Sequence, residues 1–169
     1  GTSTGTFSVA AGATYQTGGA TMVFEAGSLF SSAGALLTSS GSATFAMPTA
    51  NFTQTGSITT TGGTVTFTPD VSVSSITLSG GTTNFNAATT TPSFTQTGGT
   101  LGGSGTLTLT GTGNTWSGTD GAWTDGGTVV VADGATLTLS GEFYGNVFAG
   151  RTLQIDAGEP LKLQLQDFI

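Results

Sequence analysis

The sequence contains no cysteine and no histidine, and only two of its 169 residues, Arg151 and Lys162, are basic. The lack of cysteine excludes disulfides and thiolate metal sites, and the lack of histidine removes the commonest metal ligand and general base. The formal net charge of −7 leaves no cluster of basic residues for a phosphate backbone, so nucleic acid is not an expected partner. No apolar run reaches the length of a membrane helix, so membrane insertion is not expected either.

Charged residues of both signs make up only 7% of the chain, whereas glycine occurs 29 times and serine and threonine are abundant. Such a composition is typical of low-complexity disorder when hydrophobic residues are scarce. Here hydrophobic residues make up 36% of the chain, and its 11 phenylalanines recur at matched places of a repeat. We therefore expect a folded protein whose surface is kept in solution by hydroxyl and amide groups.

The repeat consists of an apolar strand, a short corner of Gly, Pro or Asp, and a second apolar strand, and it returns about every 21 residues. One strand position carries Val9, Phe24, Phe45, Phe67, Phe85, Leu109, Val131 and Ile155. A second position carries Tyr15, Phe30, Phe52, Ile76, Phe94, Trp116, Leu137 and Leu161. Apolar residues alternate with threonines around these positions, so Val65 and Phe67 are predicted to point inward and Thr66 outward.

Self-similarity at this period predicts an all-β fold, a parallel β-helix solenoid of about eight coils with roughly 21 residues and at least two strands per coil. We expect the helix to be right-handed. A sandwich or an up-and-down barrel is the alternative, but those folds need turn pairs that reverse the chain. The coils are assigned to residues 1–141, and the last coil or coils with a C-terminal cap or assembly strand to residues 142–169.

Residues 142–169 carry six of the charged side chains, which suits the polar end of a solenoid. The last nine residues nevertheless alternate as a strand does and end on apolar side chains. The apolar residues of this predicted assembly strand are Leu161, Leu163, Leu165, Phe168 and Ile169. We expect it to associate end to end with a second copy, or to pair with flanking coils of a longer chain.

The tripeptide Gln-Thr-Gly occurs at residues 16–18, 54–56 and 96–98. The last two copies lie in nearly identical hexapeptides 42 residues apart, a distance that corresponds to two coils of the predicted repeat. We interpret Gln and Thr as the end of a strand and Gly as a corner residue with positive φ.

Residues 93–111 and 114–118, which are rich in Gly and Thr, resemble the repeats of large bacterial surface and secreted proteins, including autotransporter passenger domains. Residues 150–153 are similar to another phrase of such repeats. The resemblance covers roughly residues 93–158, and the first half only in style. It implies a right-handed β-helix exposed outside a bacterial cell, commonly a stalk or adhesive region, and it carries over no catalytic residue.

Asp120 and Asp125 are the best candidate pair of carboxylates for glycoside hydrolysis, with Trp116 and Trp123 near enough to form a sugar-stacking platform. In the simpler interpretation both aspartates are turn residues beside glycine and both tryptophans fill a wide coil. A Ser or Thr nucleophile would have only Lys162 as a base. We favour the simpler interpretation and expect no enzymatic activity. The alternative is a β-helix that binds or processes carbohydrate, with a host or matrix glycan as its partner.

Calcium is the one cofactor that the acidic turns would suit. Residues such as Asp70 and Asp133 are spread one or two per coil, however, without a Gly-Gly-x-Gly-x-Asp array, so no cofactor is expected. Rows of Thr-x-Thr on one flat face would suit ice, but the outward sites aligned by the repeat change from Val23 to Asn84 to Val130. That irregularity argues against an ice-binding face.

The sequence therefore predicts a non-enzymatic, extracellular β-solenoid with a structural role. The two forms of that role are the rod of a bacterial surface adhesin and the subunit of an extracellular, self-assembling fibre.

Overall fold

The computed structural model describes residues 1–117, 121–141, 149–156 and the backbone of 162–165. These residues form an all-β parallel solenoid of about seven turns of ~21 residues, which confirms the predicted fold class. Strand pairing is parallel in every sheet of the described chain. A single turn of 3-10 helix at Thr49–Asn51 accompanies the strands in this part of the chain. The right-handedness stays a prediction.

The strands, in chain order, are β1 (Thr2–Ser3), β2 (Thr6–Val9), β3 (Thr14–Thr17), β4 (Thr21–Phe24), β5 (Leu29–Ser32), β6 (Ala35–Thr38), β7 (Ser42–Phe45), β8 (Phe52–Gln54), β9 (Ser57–Thr60), β10 (Thr64–Phe67), β11 (Val71–Ser72), β12 (Ser75–Leu78), β13 (Thr82–Phe85), β14 (Thr89–Thr91), β15 (Phe94–Gln96), β16 (Gly99–Gly102), β17 (Thr106–Leu109), β18 (Asn114–Ser117), β19 (Gly121–Trp123), β20 (Thr128–Val131), β21 (Leu137–Gly141), β22 (Thr152–Ile155) and β23 (Lys162–Leu165).

Each full coil contributes three strands, one to each of three faces. Face 1 is the seven-stranded sheet β1-β4-β7-β10-β13-β16-β19. Face 2 consists of the three-stranded sheet β2-β5-β8 and the five-stranded sheet β11-β14-β17-β20-β22. Face 3 is the eight-stranded sheet that runs from β3 through β6, β9, β12, β15, β18 and β21 to β23.

The coils differ in length although their strands stay in register. Phe67 pairs with Phe45, 22 residues before it, and with Phe85, only 18 residues after it. The strands themselves keep their alignment, so the difference in length is absorbed at the corners between faces. A constant strand register with variable corners lets the inward side chains of successive coils stack.

The core is a continuous column of inward side chains. On face 1, Phe24, Phe45, Phe67 and Phe85 are all buried, and each ring is stacked on the next with centroids 4.7, 5.0 and 5.3 Å apart. Face 3 adds Leu36, Ile58, Ile76 and Phe94. The predicted inward positions Val65 and Phe67 are fully buried and Thr66 is not, so the predicted alternation is confirmed.

The two apolar columns of the sequence repeat combine residues from different faces. Phe24 to Phe85 lie on face 1, whereas Leu109, Val131 and Ile155 form a row on face 2. The alignment is lost after Phe85 because β16, the next strand of face 1, ends at Gly102, the partner of Asn84, and the following residue Gly103 has no side chain to continue the column. A column drawn through the sequence at the mean repeat of ~21 residues therefore passes from face 1 to face 2 after Phe85.

One corner of the solenoid is a stack of glycines. Gly19, Gly41, Gly63, Gly81 and Gly99 all have φ close to +70° and lie where face 3 turns into face 1. An ideal Cβ on Gly63 would lie 2.4 Å from the carbonyl oxygen of Gly41 in the coil before it. Glycine is required here both for its left-handed conformation and for the close approach of neighbouring coils.

The interpretation of Gln-Thr-Gly was wrong in two respects. None of the tripeptides' own glycines, at positions 18, 56 and 98, has a positive φ, and in two copies it is the following residue, Gly19 or Gly99, that does. The two similar hexapeptides also lie on different faces, since β8 belongs to face 2 and β15 to face 3. Between the hexapeptides the chain completes two short coils, from β8 to β14 on face 2. The residues that are left of the 42 then take the chain around one further corner to β15 on face 3.

At the C-terminal side, β22 and β23 extend faces 2 and 3 by pairing with β20 and β21. Leu163 and Leu165 of the predicted assembly strand lie in β23, the end strand of face 3 in the described chain. Leu161, Phe168 and Ile169 lie outside the described residues. The domain boundary at residue 141 and the capping role of the last segment stay predictions.

Candidate functional site

Trp116 and Trp123, the predicted sugar platform, lie inside the solenoid. Trp116 is on β18 of face 3 and Trp123 on β19 of face 1, and both side chains are 0% exposed. Their rings stack on each other with centroids 4.2 Å apart and an angle of 12° between the planes. In this arrangement the two indoles face each other across the core, and neither can stack on a sugar.

Polar and small neighbours hold the two tryptophans in place. The indole Nε1 of Trp123 donates a 2.7 Å hydrogen bond to Oε1 of the buried Gln96, whose Nε2 donates to the carbonyl of Gly99. An ideal Cβ on Gly121 would lie 2.6 Å from Nε1 of Trp116, so glycine leaves the space that this ring occupies. The arrangement agrees with the interpretation of the tryptophans as core residues of a wide coil.

Asp125 lies exposed at the corner between faces 1 and 2, where it is the one residue other than glycine with positive φ (69°) in the described chain. Its Oδ2 accepts a 3.3 Å hydrogen bond from the backbone N–H of Gly103 in the preceding coil. Aspartate tolerates this left-handed conformation better than most residues. The geometry is that of a turn residue. Asp120 lies outside the described residues.

Arg151, which the sequence analysis did not select as a site residue, is 6% exposed and spans three successive coils at the same corner. Its Nε donates a 3.1 Å hydrogen bond to the carbonyl of Thr124, and its Nη2 donates to the carbonyl of Gly103. Burial lowers the pKa of the Arg151 guanidinium below its ordinary value, and the charge of Asp125, which acts in the opposite direction, offsets only part of this effect. An ideal Cβ on Gly127 would lie 2.8 Å from Cζ of Arg151, so a further glycine makes room for the charged group.

The Arg151 corner is suited to holding coils together rather than to chemistry. Two of the guanidinium nitrogens bind backbone carbonyls, and no nucleophile or base is among their partners. A signal existed in the sequence, because Arg151 is the only arginine of the chain. Sequence alone does not reveal that this charge is buried, since most arginines lie on the surface.

A groove of about 330 Å³ marks the break in face 2 between β8 and β11. Its lining includes Phe52, Thr53, Asp70 and Ser72. The Oδ1 atom of Asp70 accepts a 3.1 Å hydrogen bond from the N–H of Ala88, so this carboxylate already binds the backbone of the next coil. The groove has the volume of a small ligand site, but a single carboxylate without a second titratable group does not form an acid–base pair.

No group of three or more Asp, Glu, His or Cys side chains among the described residues could hold a metal ion. Within the same residues, no helix has the length and apolar character needed to cross a membrane. Comparisons with protein-family models, with curated proteins and with solved structures found no match for this chain.

Proposed function

We propose that this chain is a structural rod that acts outside the cell. The observation that carries the proposal is the core, which runs through the described coils as one column of stacked side chains from Phe24 to Leu139. Each added coil lengthens such a column by ~4.8 Å, so about seven turns give a rod roughly 34 Å long. Repeats of this kind contact only their neighbours, so stacking them produces an extended structure, and this shape is the main feature that they contribute.

The setting we propose is the surface of a bacterium, with the rod as the stalk of an adhesin or as the subunit of a self-assembling extracellular fibre. Three features of the sequence support this setting: the Gly/Thr-rich phrases of residues 93–111, the scarcity of charge, and the absence of cysteine. We further propose that the protein works without catalysis and without a cofactor. Asp125→Asn should then leave any polysaccharide-cleaving activity of a preparation unchanged.

The partner that we propose is a second copy of the chain at the end of the rod, or further coils of a longer chain. The strands β1, β2 and β3 are the end strands of their sheets. Within β2 and β3, the side chains of Phe7, Val9 and Tyr15 are only partly buried against the core. Edge strands without a charge or proline readily pair with another strand. A head-to-tail contact of this kind does not close, so it produces filaments.

A pair of single substitutions tests the end contact. Ser8 of β2 and Ser31 of β5 are register partners and both are exposed, but only Ser8 lies in an end strand. In electron micrographs of the concentrated protein we expect filaments with the wild type and with Ser31→Lys, and short single rods with Ser8→Lys. Both variants change the net charge equally. Single rods in the wild type would contradict the proposal of a self-assembling fibre and leave the adhesin stalk. A compact particle would contradict the proposal of a rod itself.

The carbohydrate-binding alternative has lost its aromatic platform, because Trp116 and Trp123 are core residues. For this reason we favour the structural role. Binding to a glycan array that disappears with Trp123→Phe, while the fold is retained, would reverse this preference.

A further inference from the structure

Face 3 carries two parallel rows of hydroxyl groups on its outer surface. The central row consists of Thr59, Thr77, Thr95, Thr115 and Thr138, which are aligned residue by residue in five successive strands. The flanking row lies two positions further along each coil and consists of Thr61, Ser79, Thr97, Ser117 and Ser140. The residue between the two rows is buried in every coil, so both rows point outward.

The hydroxyl groups of both rows are available to solvent. All ten side chains are at least partly exposed, and within the described chain none of their hydroxyls forms a hydrogen bond with another residue. Other outward hydroxyls differ in this respect: on face 1, Ser42 donates to Thr21, and Thr66 accepts from Asn84. The rows on face 3 are therefore ready to bind water or a surface of ordered oxygen atoms.

The two rows share one fixed repeat, because hydroxyls recur at ~4.8 Å from strand to strand. In the flanking row, Ser117 and Ser140 lie within β18 and β21, whereas Thr61, Ser79 and Thr97 directly follow the ends of β9, β12 and β15. The repeat survives the unequal coil lengths, because Thr77 follows Thr59 by 18 residues and Thr138 follows Thr115 by 23, yet both pairs are in register. This spacing along the rows lies close to the shorter repeat between oxygen atoms on the faces of hexagonal ice.

The composition of the rows also limits what they can bind. Neither row contains a charged or an aromatic residue. Such a surface has no cation for an anionic polymer and no ring on which a sugar could stack. In the central row each threonine also presents a methyl group beside its hydroxyl, an apolar surface whose removal from liquid water is favourable.

The irregular outward positions that argued against ice binding lie elsewhere. Val23 and Asn84 belong to face 1 and Val130 to face 2, so the objection from sequence does not apply to face 3. We propose that face 3 binds crystalline water through its two hydroxyl rows, from Thr59 to Ser140. This function goes beyond the structural rod and does not depend on assembly.

Partition of the full chain into slowly growing ice tests the proposal. Thr95→Tyr places a bulky ring in the middle of the central row, and Thr108→Tyr is its matched control in the outward position of β17 on face 2. We expect the wild type and Thr108→Tyr to enter the ice and to shape crystals in thermal-hysteresis measurements. Thr95→Tyr should be excluded from the ice like a reference protein without ice affinity.

Unfolding curves of both variants establish that a loss of ice affinity is not a loss of fold, and Thr77→Tyr repeats the test one coil earlier. Exclusion of the wild type from ice overturns the proposal, and so does an equal loss of ice affinity in Thr95→Tyr and Thr108→Tyr. Retention of the wild type on crystalline cellulose or chitin without entry into ice also overturns it, in favour of a solid polysaccharide as the ligand.

Discussion

The rings of Phe45 and Phe67 lie parallel in neighbouring coils, with centroids 5.0 Å apart and an angle of 3° between their planes. Phe67 is also stacked on Phe85 in the next coil, so its removal opens the column on both sides. We expect Phe67→Ala to lower the free energy of unfolding by about 3–5 kcal/mol, because a large cavity forms between coils that cannot collapse.

The adjacent outward residue provides the control for this cavity. Thr66 accepts a hydrogen bond from Asn84 on the partly exposed side of the sheet, where water can replace it. Thr66→Ala should therefore cost less than ~1 kcal/mol. Denaturant unfolding measured by circular dichroism gives both values. Similar losses in the two variants would show that the inner and outer sides of β10 are exchanged.

The inner and outer sides of single strands were predictable from the sequence because alternation is a local pattern. The number of strands per coil was not. Several inward positions carry polar side chains, among them Thr60 and Thr83, whose buried hydroxyls bind each other at 2.7 Å. A strand with such residues on its inner side lacks a clear apolar pattern, so the sequence supported only a minimum of two strands per coil.

The same limit governed the candidate sites. The sequence analysis favoured the interpretation that both tryptophans fill a wide coil over a sugar-binding platform, and their burial agrees with this. The hydrogen bond of Trp123 to Gln96 could be found only from the fold. The corner formed by Arg151 and Gly103 joins residues 48 positions apart. The hydroxyl rows of face 3 became visible only when each residue was assigned to its face, since unequal coils conceal a period in the sequence.

The glycine corner between faces 3 and 1 yields a second prediction. Gly63 and Gly12 both have positive φ, but only Gly63 has backbone atoms where a Cβ would lie, whereas around Gly12 there is nothing within 4 Å. Gly12→Ala should cost about 1–2 kcal/mol for its left-handed backbone. Gly63→Ala should cost clearly more, because the neighbouring coil must also move. Equal shifts in the thermal unfolding midpoint would contradict the close contact between coils.

The tryptophan pair gives a prediction from intrinsic fluorescence. Because Trp116 and Trp123 are fully buried, the folded chain should emit at the short wavelengths of indoles shielded from water and should resist quenching by iodide. Oligosaccharides should leave the emission unchanged. Unfolding in denaturant should shift the maximum to longer wavelengths and restore quenching. Emission typical of exposed indoles in the native protein, or a shift on addition of sugar, would place a ring at the surface.

Arg151 provides the last prediction, which concerns the only described side chain that binds the backbone of two preceding coils. Arg151→Met removes the donors to the carbonyls of Thr124 and Gly103 while it keeps much of the side-chain volume. Each buried carbonyl left without a partner costs ~1–3 kcal/mol, so the free energy of unfolding should fall by roughly 2–4 kcal/mol.

Arg151→Lys should recover little of this loss, because a compact ammonium group cannot reproduce the fork that reaches both carbonyls. Gln154→Met, at an exposed position of the following strand β22, is the matched control and should change stability by less than ~0.5 kcal/mol. Denaturant unfolding of the four proteins in parallel measures these differences. If Arg151→Met were as stable as Gln154→Met, the guanidinium would not hold the coils together, and the C-terminal coil would be held by the β20–β22 and β21–β23 strand pairs instead.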